Sequence, residues 1–69
     1  MLEKHSITLM GHKTSISIEP EFWSEFKNIC AGKNKSINEV IAEIDINEHN
    51  GNLSSCIRVF VLRHLQNKD

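Results

Sequence analysis

The stretch HKTSISIEPEFW, His12 to Trp23, decides the fold. In TSISI, Thr14 to Ile18, polar and apolar residues alternate, the period of a strand with one buried face. Ser15 and Ser17 share one face, and Thr14, Ile16 and Ile18 share the other. Pro20 follows at once and suits the first turn of a helix, while Glu19 and Glu21 complement that helix's positive end. Phe22, Phe26 and Ile29 then recur at helical spacing, with Trp23 and Cys30 on the adjoining side. AGKNK, Ala31 to Lys35, ends the helix with glycine and polar residues.

Working outward, SINE (Ser36 to Glu39) has the spacing of a capping box, with Ser36 accepting from the Glu39 amide and Glu39 reaching back. Ile37, Val40, Ile41 and Ile44 follow at helical spacing, and NEHNGN, with Gly51, closes this second helix. A third helix starts near Asn52 to Ser54. Its apolar face is broad (Leu53, Cys56, Ile57, Phe60, Val61, Leu65), with Arg58 and Arg63 outside it. Upstream of the strand, SITL (Ser6 to Leu9) alternates too, and MGHK with Gly11 could turn between the two segments. The turn lacks an Asn-Gly or Asp-Gly pair, so the reading favours an irregular or extended arm over a hairpin. The predicted fold is mainly α: one N-terminal strand, two helices and an additional C-terminal helix. It divides into an arm over residues 1–11, a core over 12–50 and the third helix over 51–69, within one domain. Ile16, Ile18, Phe22, Phe26, Ile29, Val40, Ile41, Ile44, Ile57 and Phe60 are the predicted core, with Trp23 at least partly buried.

The chain has 69 residues, 39% of them hydrophobic and 25% charged, the composition of an ordinary globular domain. A chain this short buries only ~60% of its unfolded surface and is marginal without a disulfide, a metal or a partner subunit. Cys30 and Cys56 lie inside apolar helical patterns without metal or redox spacing, and read as two small buried hydrophobes. No run of ~18 apolar residues is present to span a membrane, and no signal-peptide core, which predicts a cytoplasmic protein. A partner subunit is therefore the expected source of stability.

An unpaired strand leaves backbone groups on an open edge. No segment after residue 18 reads as strand, so the pairing must come from the N-terminal arm or from a second molecule; in the latter case a two-fold axis would pair the strand antiparallel with itself. Thr14, Ile16 and Ile18 of both chains would roof the helices, and Lys13, Ser15 and Ser17 would face outward. Such a ribbon fits the DNA major groove, about 12 Å wide, where hydroxyls and lysine can bond base edges. Net charge is −1, a weak footprint for a nucleic-acid binder, but its distribution is uneven. Positive charge collects near the strand (Lys4, Lys13), at Lys33 and Lys35 before the second helix, and in the C-terminal helix.

The order of strand, short link, helix, polar turn and capped helix resembles the ribbon-helix-helix (Arc/MetJ-like) family of DNA-binding dimers. GHKTSISIEPEFW followed by NLSSCIRVFVLRH is similar to a bacterial subgroup of that family with an added C-terminal helix, over roughly residues 5–65. The resemblance implies a homodimeric transcriptional regulator that inserts a two-stranded ribbon into the major groove of double-stranded DNA. Lys13, Ser15 and Ser17 would contact bases. Ser36, the amides of Ile37 and Asn38, and the flanking Lys33 and Lys35 would grip phosphate.

Other chemistries are poorly served. His5, His12, His49 and His64 have no metal-ligand spacing, and His64 near a helix end would complement the dipole. Glu39 and Glu43 at i, i+4 read as a solvated face, and Ser54-Ser55 as helix capping rather than a nucleophile. The prediction is a non-enzyme with no catalytic residue, metal or cofactor. The competing reading is a protein-interaction module, or an antitoxin-like partner protein, that docks through the apolar face of the C-terminal helix.

Overall fold

In a computed structural model, which describes residues 1–48 and 52–67 (the side chains of 46–48 excepted), the N-terminal segment is a strand. β1 (Glu3–Leu9) pairs antiparallel with β2 (His12–Ile18), in a register that sets Lys4 opposite Ser17, Ser6 opposite Ser15 and Thr8 opposite Lys13. The three helices predicted after the strand follow as α1 (Pro20–Gly32), α2 (Ile37–Glu48) and α3 (Leu53–Gln66). The mainly helical fold with a ribbon ahead of three helices stands, and the extended arm is corrected to a hairpin.

The hairpin forms because the loop geometry is met without the usual sequence. Met10 and Gly11 both have positive φ, 54° and 79°, which a two-residue type I′ loop requires. Gly11 adopts this freely. Met10 does so at a cost of roughly 1–2 kcal/mol. Against that stand the ladder itself and the burial of Ile7, only 5% exposed, which contributes about 1.5–3 kcal/mol. His5, Ile7 and Leu9 alternate with Lys4, Ser6 and Thr8, so one face of β1 packs inward while the other is exposed.

α1 begins at Pro20, whose missing amide is no loss there, and the Trp23 amide donates to the Glu19 carbonyl at 3.0 Å. At its end, Lys35 N–H donates to Cys30 O and Asn34 N–H to Ala31 O, both at 3.1 Å. This is a Schellman closure in which Asn34, at φ 57°, takes the left-handed position, while Gly32 remains inside the helix. α2 opens on the predicted capping box. Glu39 N–H donates to Ser36 Oγ at 3.1 Å, and Ser36 N–H to Glu39 Oε1 at 2.8 Å. α3 is capped by Asn52, whose Oδ1 accepts from the Ser55 amide at 3.1 Å; Ser54 and Ser55 lie within the first turn instead of forming the cap. Gly51 and His49 lie outside the described residues.

The inner face of the hairpin closes over the helices. Ile7, Ile16 and Ile18 meet Phe26, Ile29 and Cys30 of α1, Val40, Ile41 and Ile44 of α2, and Cys56, Ile57 and Val61 of α3. Eight of the ten predicted core residues are buried, and Phe22 and Phe60 are partly so. Ile7 was hidden by the arm reading, and Val61 joins from the apolar face of α3. Both cysteines are buried and no disulfide joins them, and burial pushes the Cys30 thiol pKa upward. An aromatic line crosses the layer: His5 stacks on Trp23 at 4.1 Å, Trp23 lies 5.9 Å from Phe26, and Phe26 meets Phe60 edge-on at 5.9 Å. Trp23 is half-buried as predicted. His5 Nε2 lies 3.4 Å from Glu3 Oε1 in a geometry that makes no hydrogen bond.

Candidate nucleic-acid interface

Strand alternation builds the outward face. Side chains opposite one another in an antiparallel pair share a face, so Lys13, Ser15 and Ser17 of β2 are joined there by Thr8, Ser6 and Lys4 of β1. All six are exposed. The face carries two ammonium groups and four hydroxyls and no carboxylate, opposite in sign to the chain as a whole. Lys4, Ser6 and Thr8 were not among the predicted site residues. The signal was present in their alternation with His5, Ile7 and Leu9, and only the turn hid it.

The second predicted group sits at the junction of α1 and α2. The Schellman closure holds Lys33 and Lys35 ahead of Ser36, and both lysines are exposed. Lys35 Nζ is bonded to Glu43 Oε2 at 2.6 Å, which raises the lysine pKa. An exposed pair of this kind contributes little to stability, so a phosphate can exchange for Glu43 at small cost. Ser36 is engaged in the capping box, and Ile37 turns its partly buried side chain to the core. Of the first-turn amides, those of Ile37 and Asn38 are left without an intrahelical acceptor. Glu39 places a carboxylate at this positive helix end. Its hydrogen bonds from the Ser36 backbone and hydroxyl hold its pKa below the usual carboxylate value. The predicted anion site is thus partly filled by the chain's own acid.

The two groups are not in direct contact, and β1 links them. Thr8 N–H, on the edge of β1 away from β2, donates to Asn38 Oδ1 at 3.3 Å. The order is α2, β1, β2. One edge of the ribbon therefore lies against the start of α2, and the other, that of β2, meets no strand among the described residues. Along that open edge runs a groove of about 380 Å³, lined by Thr14, Ile16, Leu53 and Ser54 among others. Thr14, which the alternation assigns to the core side, is exposed there.

Glu43 and Glu39 are both committed to local polar contacts. Among the described residues no cluster of three metal-ligating side chains occurs, and no helix is long and apolar enough to cross a membrane. A family model described as a ribbon-helix-helix domain matches residues 2–65. No curated protein and no solved structure matches the chain.

Proposed function

The chain belongs to the ribbon-helix-helix domain family, and on that footing we propose that it is a homodimeric regulator of transcription that binds double-stranded DNA in the bacterial cytoplasm, at the nucleoid. Ribbon-helix-helix domains bind DNA, generally as dimers, and are typically non-enzymatic. The observation that carries the reading is the exposed outer face of the hairpin, two lysines and four hydroxyls free of carboxylate on a chain of net charge −1.

The proposed dimer pairs β2 with β2 of the second copy. The open strand edge, the exposed Thr14 beside it and the groove along it support this contact, and the β1 edge is already engaged by Asn38. Two small cores would merge, which answers the marginal burial of a chain this short. Lys13, Ser15 and Ser17 of both copies would then lie at the centre of the sheet and meet base edges. Lys33, Lys35, Ser36 and the amides of Ile37 and Asn38 would take phosphates at the flanks, with Lys35 leaving Glu43 to do so.

A second reading rests on Leu62 and Leu65 of α3, which are 51% and 42% exposed. They would form part of a docking surface for another protein, as in an antitoxin-like partner. Binding through phosphates weakens steeply with salt, whereas apolar docking hardly responds. Fluorescence anisotropy with labelled, sheared genomic DNA at low and near-physiological salt separates the two, alongside light scattering to measure the oligomer. Salt-sensitive binding by a dimer supports the DNA reading; a dimer or monomer that ignores DNA at low salt overturns it.

A further inference from the structure

We propose that β1 is a DNA-contacting strand in its own right, reaching the phosphate walls of the groove, with Lys4 its principal contact and Thr8 a second. The inference rests on the reading of the protein as a DNA-binding dimer paired along β2.

The geometry follows from the hairpin. Pairing two hairpins along β2 gives a four-stranded sheet in the order β1, β2, β2, β1. Neighbouring strands lie about 4.8 Å apart, so the two outer strands stand roughly 14 Å from each other. The major groove is about 12 Å wide. The central pair fits inside it, and the outer pair cannot. Side chains on the outer face of β1 therefore meet the rims, where the phosphates are.

The residues match that position. Lys4 is opposite Ser17 and Thr8 is opposite Lys13, and both are exposed on the face that carries the predicted base contacts. Lysine is a point charge suited to phosphate, and a threonine hydroxyl can donate to one. Thr8 is also tied through its amide to Asn38 at the start of α2. The β1 rim is therefore continuous with the helix terminus proposed to grip phosphate. Lys4 and Thr8 are four residues apart on one strand, about 13 Å, so each copy would hold the backbone at two separate points.

The test measures the salt dependence of binding to a panel of labelled duplexes of different sequence, for the wild type, Lys4→Ala, Lys4→Arg and Lys13→Ala. Lys4→Ala should weaken binding to every duplex alike and reduce the slope of log affinity against log salt by about 1.8 per dimer, one phosphate contact per copy. Lys4→Arg should restore the slope. Lys13→Ala should instead change the ranking of the duplexes. The inference is overturned if Lys4→Ala binds with wild-type slope and affinity, or if it reorders the duplexes as a base-reading residue would. A wild type that binds no duplex at low salt removes the DNA reading itself, and this inference with it.

Discussion

Arg58 of α3 donates through Nε to Glu19 Oε1 at 2.8 Å, joining two residues 39 positions apart. Glu19 is the residue between the end of β2 and the start of α1. The pair therefore ties the corner where the ribbon turns into the helices to the C-terminal helix, an element outside the minimal strand-helix-helix pattern. The hydrogen bond from Arg58, and after it the local backbone, hold the Glu19 pKa below its ordinary value of 4.5. α3 also closes the core through Cys56, Ile57 and Val61, so the extra helix both fills the interior and is tied to the end of the ribbon.

The sign of the pH effect follows from the lowered pKa. A carboxyl that is more acidic in the folded state contributes its stability fully above its unfolded value, near 4.5, and loses it as pH falls through the lower folded value. Arg58→Gln should lower the melting temperature at neutral pH by a small amount, because each partner is about a third exposed and the pair is screened by solvent. The difference from wild type should shrink below pH 4.5 as Glu19 protonates in both proteins. Melting curves at a series of pH values read this directly; a difference that persists unchanged at acid pH would assign the loss to packing of the arginine stem.

Phe26 is fully buried between Trp23 and Phe60. Phe26→Ala should cost about 3–5 kcal/mol, a large share of the stability of a small domain. Circular dichroism should show loss of the cooperative transition or a melting temperature far below wild type. An unchanged melting temperature would place the core elsewhere.

Much of this fold is legible in residue order, because the alternation of TSISI, Pro20 and the Ser36–Glu39 spacing each act within a few residues. The capping box appears with both bonds made. The turn at Met10-Gly11 was not legible, because its stability comes from what the hairpin buries. A methionine at positive φ is unfavourable locally, and Ile7 repays it only when the helices are in place. The same limit hid half of the outward face: Lys4, Ser6 and Thr8 become neighbours of Ser17, Ser15 and Lys13 only through the register. The pairing of Lys35 with Glu43 likewise spans an eight-residue separation that begins before the helix, outside the i, i+4 rule. The left-handed position at the end of α1 fell to Asn34 instead of the available Gly32 for a reason that is physical: asparagine tolerates that region, so glycine is not needed.

Lys13→Glu reverses two charges on the groove face of the proposed dimer. The side chain is exposed and the hairpin pairs it with Thr8, so folding and dimer mass should be unaffected. DNA binding should fall below detection in anisotropy at near-physiological salt, while light scattering still reports a dimer. An intact dimer that binds DNA as wild type does would remove the ribbon as the reader.

Glu39 makes a prediction of opposite sign. Its carboxylate occupies the helix end where a phosphate is expected, and the amide of glutamine can still accept from the Ser36 N–H through its oxygen. Glu39→Gln should tighten DNA binding, by roughly twofold to fivefold per site at low salt, since a charge at a helix terminus counts for about that much. The gain should fade as salt rises. Weaker binding by this variant would mean that the start of α2 does not approach the DNA.

The hairpin turn is open to a direct test in which two adjacent substitutions act in opposite directions. Met10 is 65% exposed and has no packing role to lose, and its φ of 54° suits asparagine far better than methionine. Met10→Asn also creates the Asn-Gly pair that type I′ loops prefer. It should stabilise the protein by about 1 kcal/mol, raising the melting temperature by about 4–8 °C for a domain of this size. Gly11→Ala adds a Cβ that meets no atom within 4 Å, so its only penalty is the strained φ of 79°. That penalty, about 1 kcal/mol, should lower the melting temperature by a similar amount. A steric account predicts no loss at Gly11, and an unstructured arm predicts no effect at either position. Opposite shifts at the two sites require both residues to sit in a left-handed turn, and with it the pairing that sets Lys4 and Thr8 beside the β2 face.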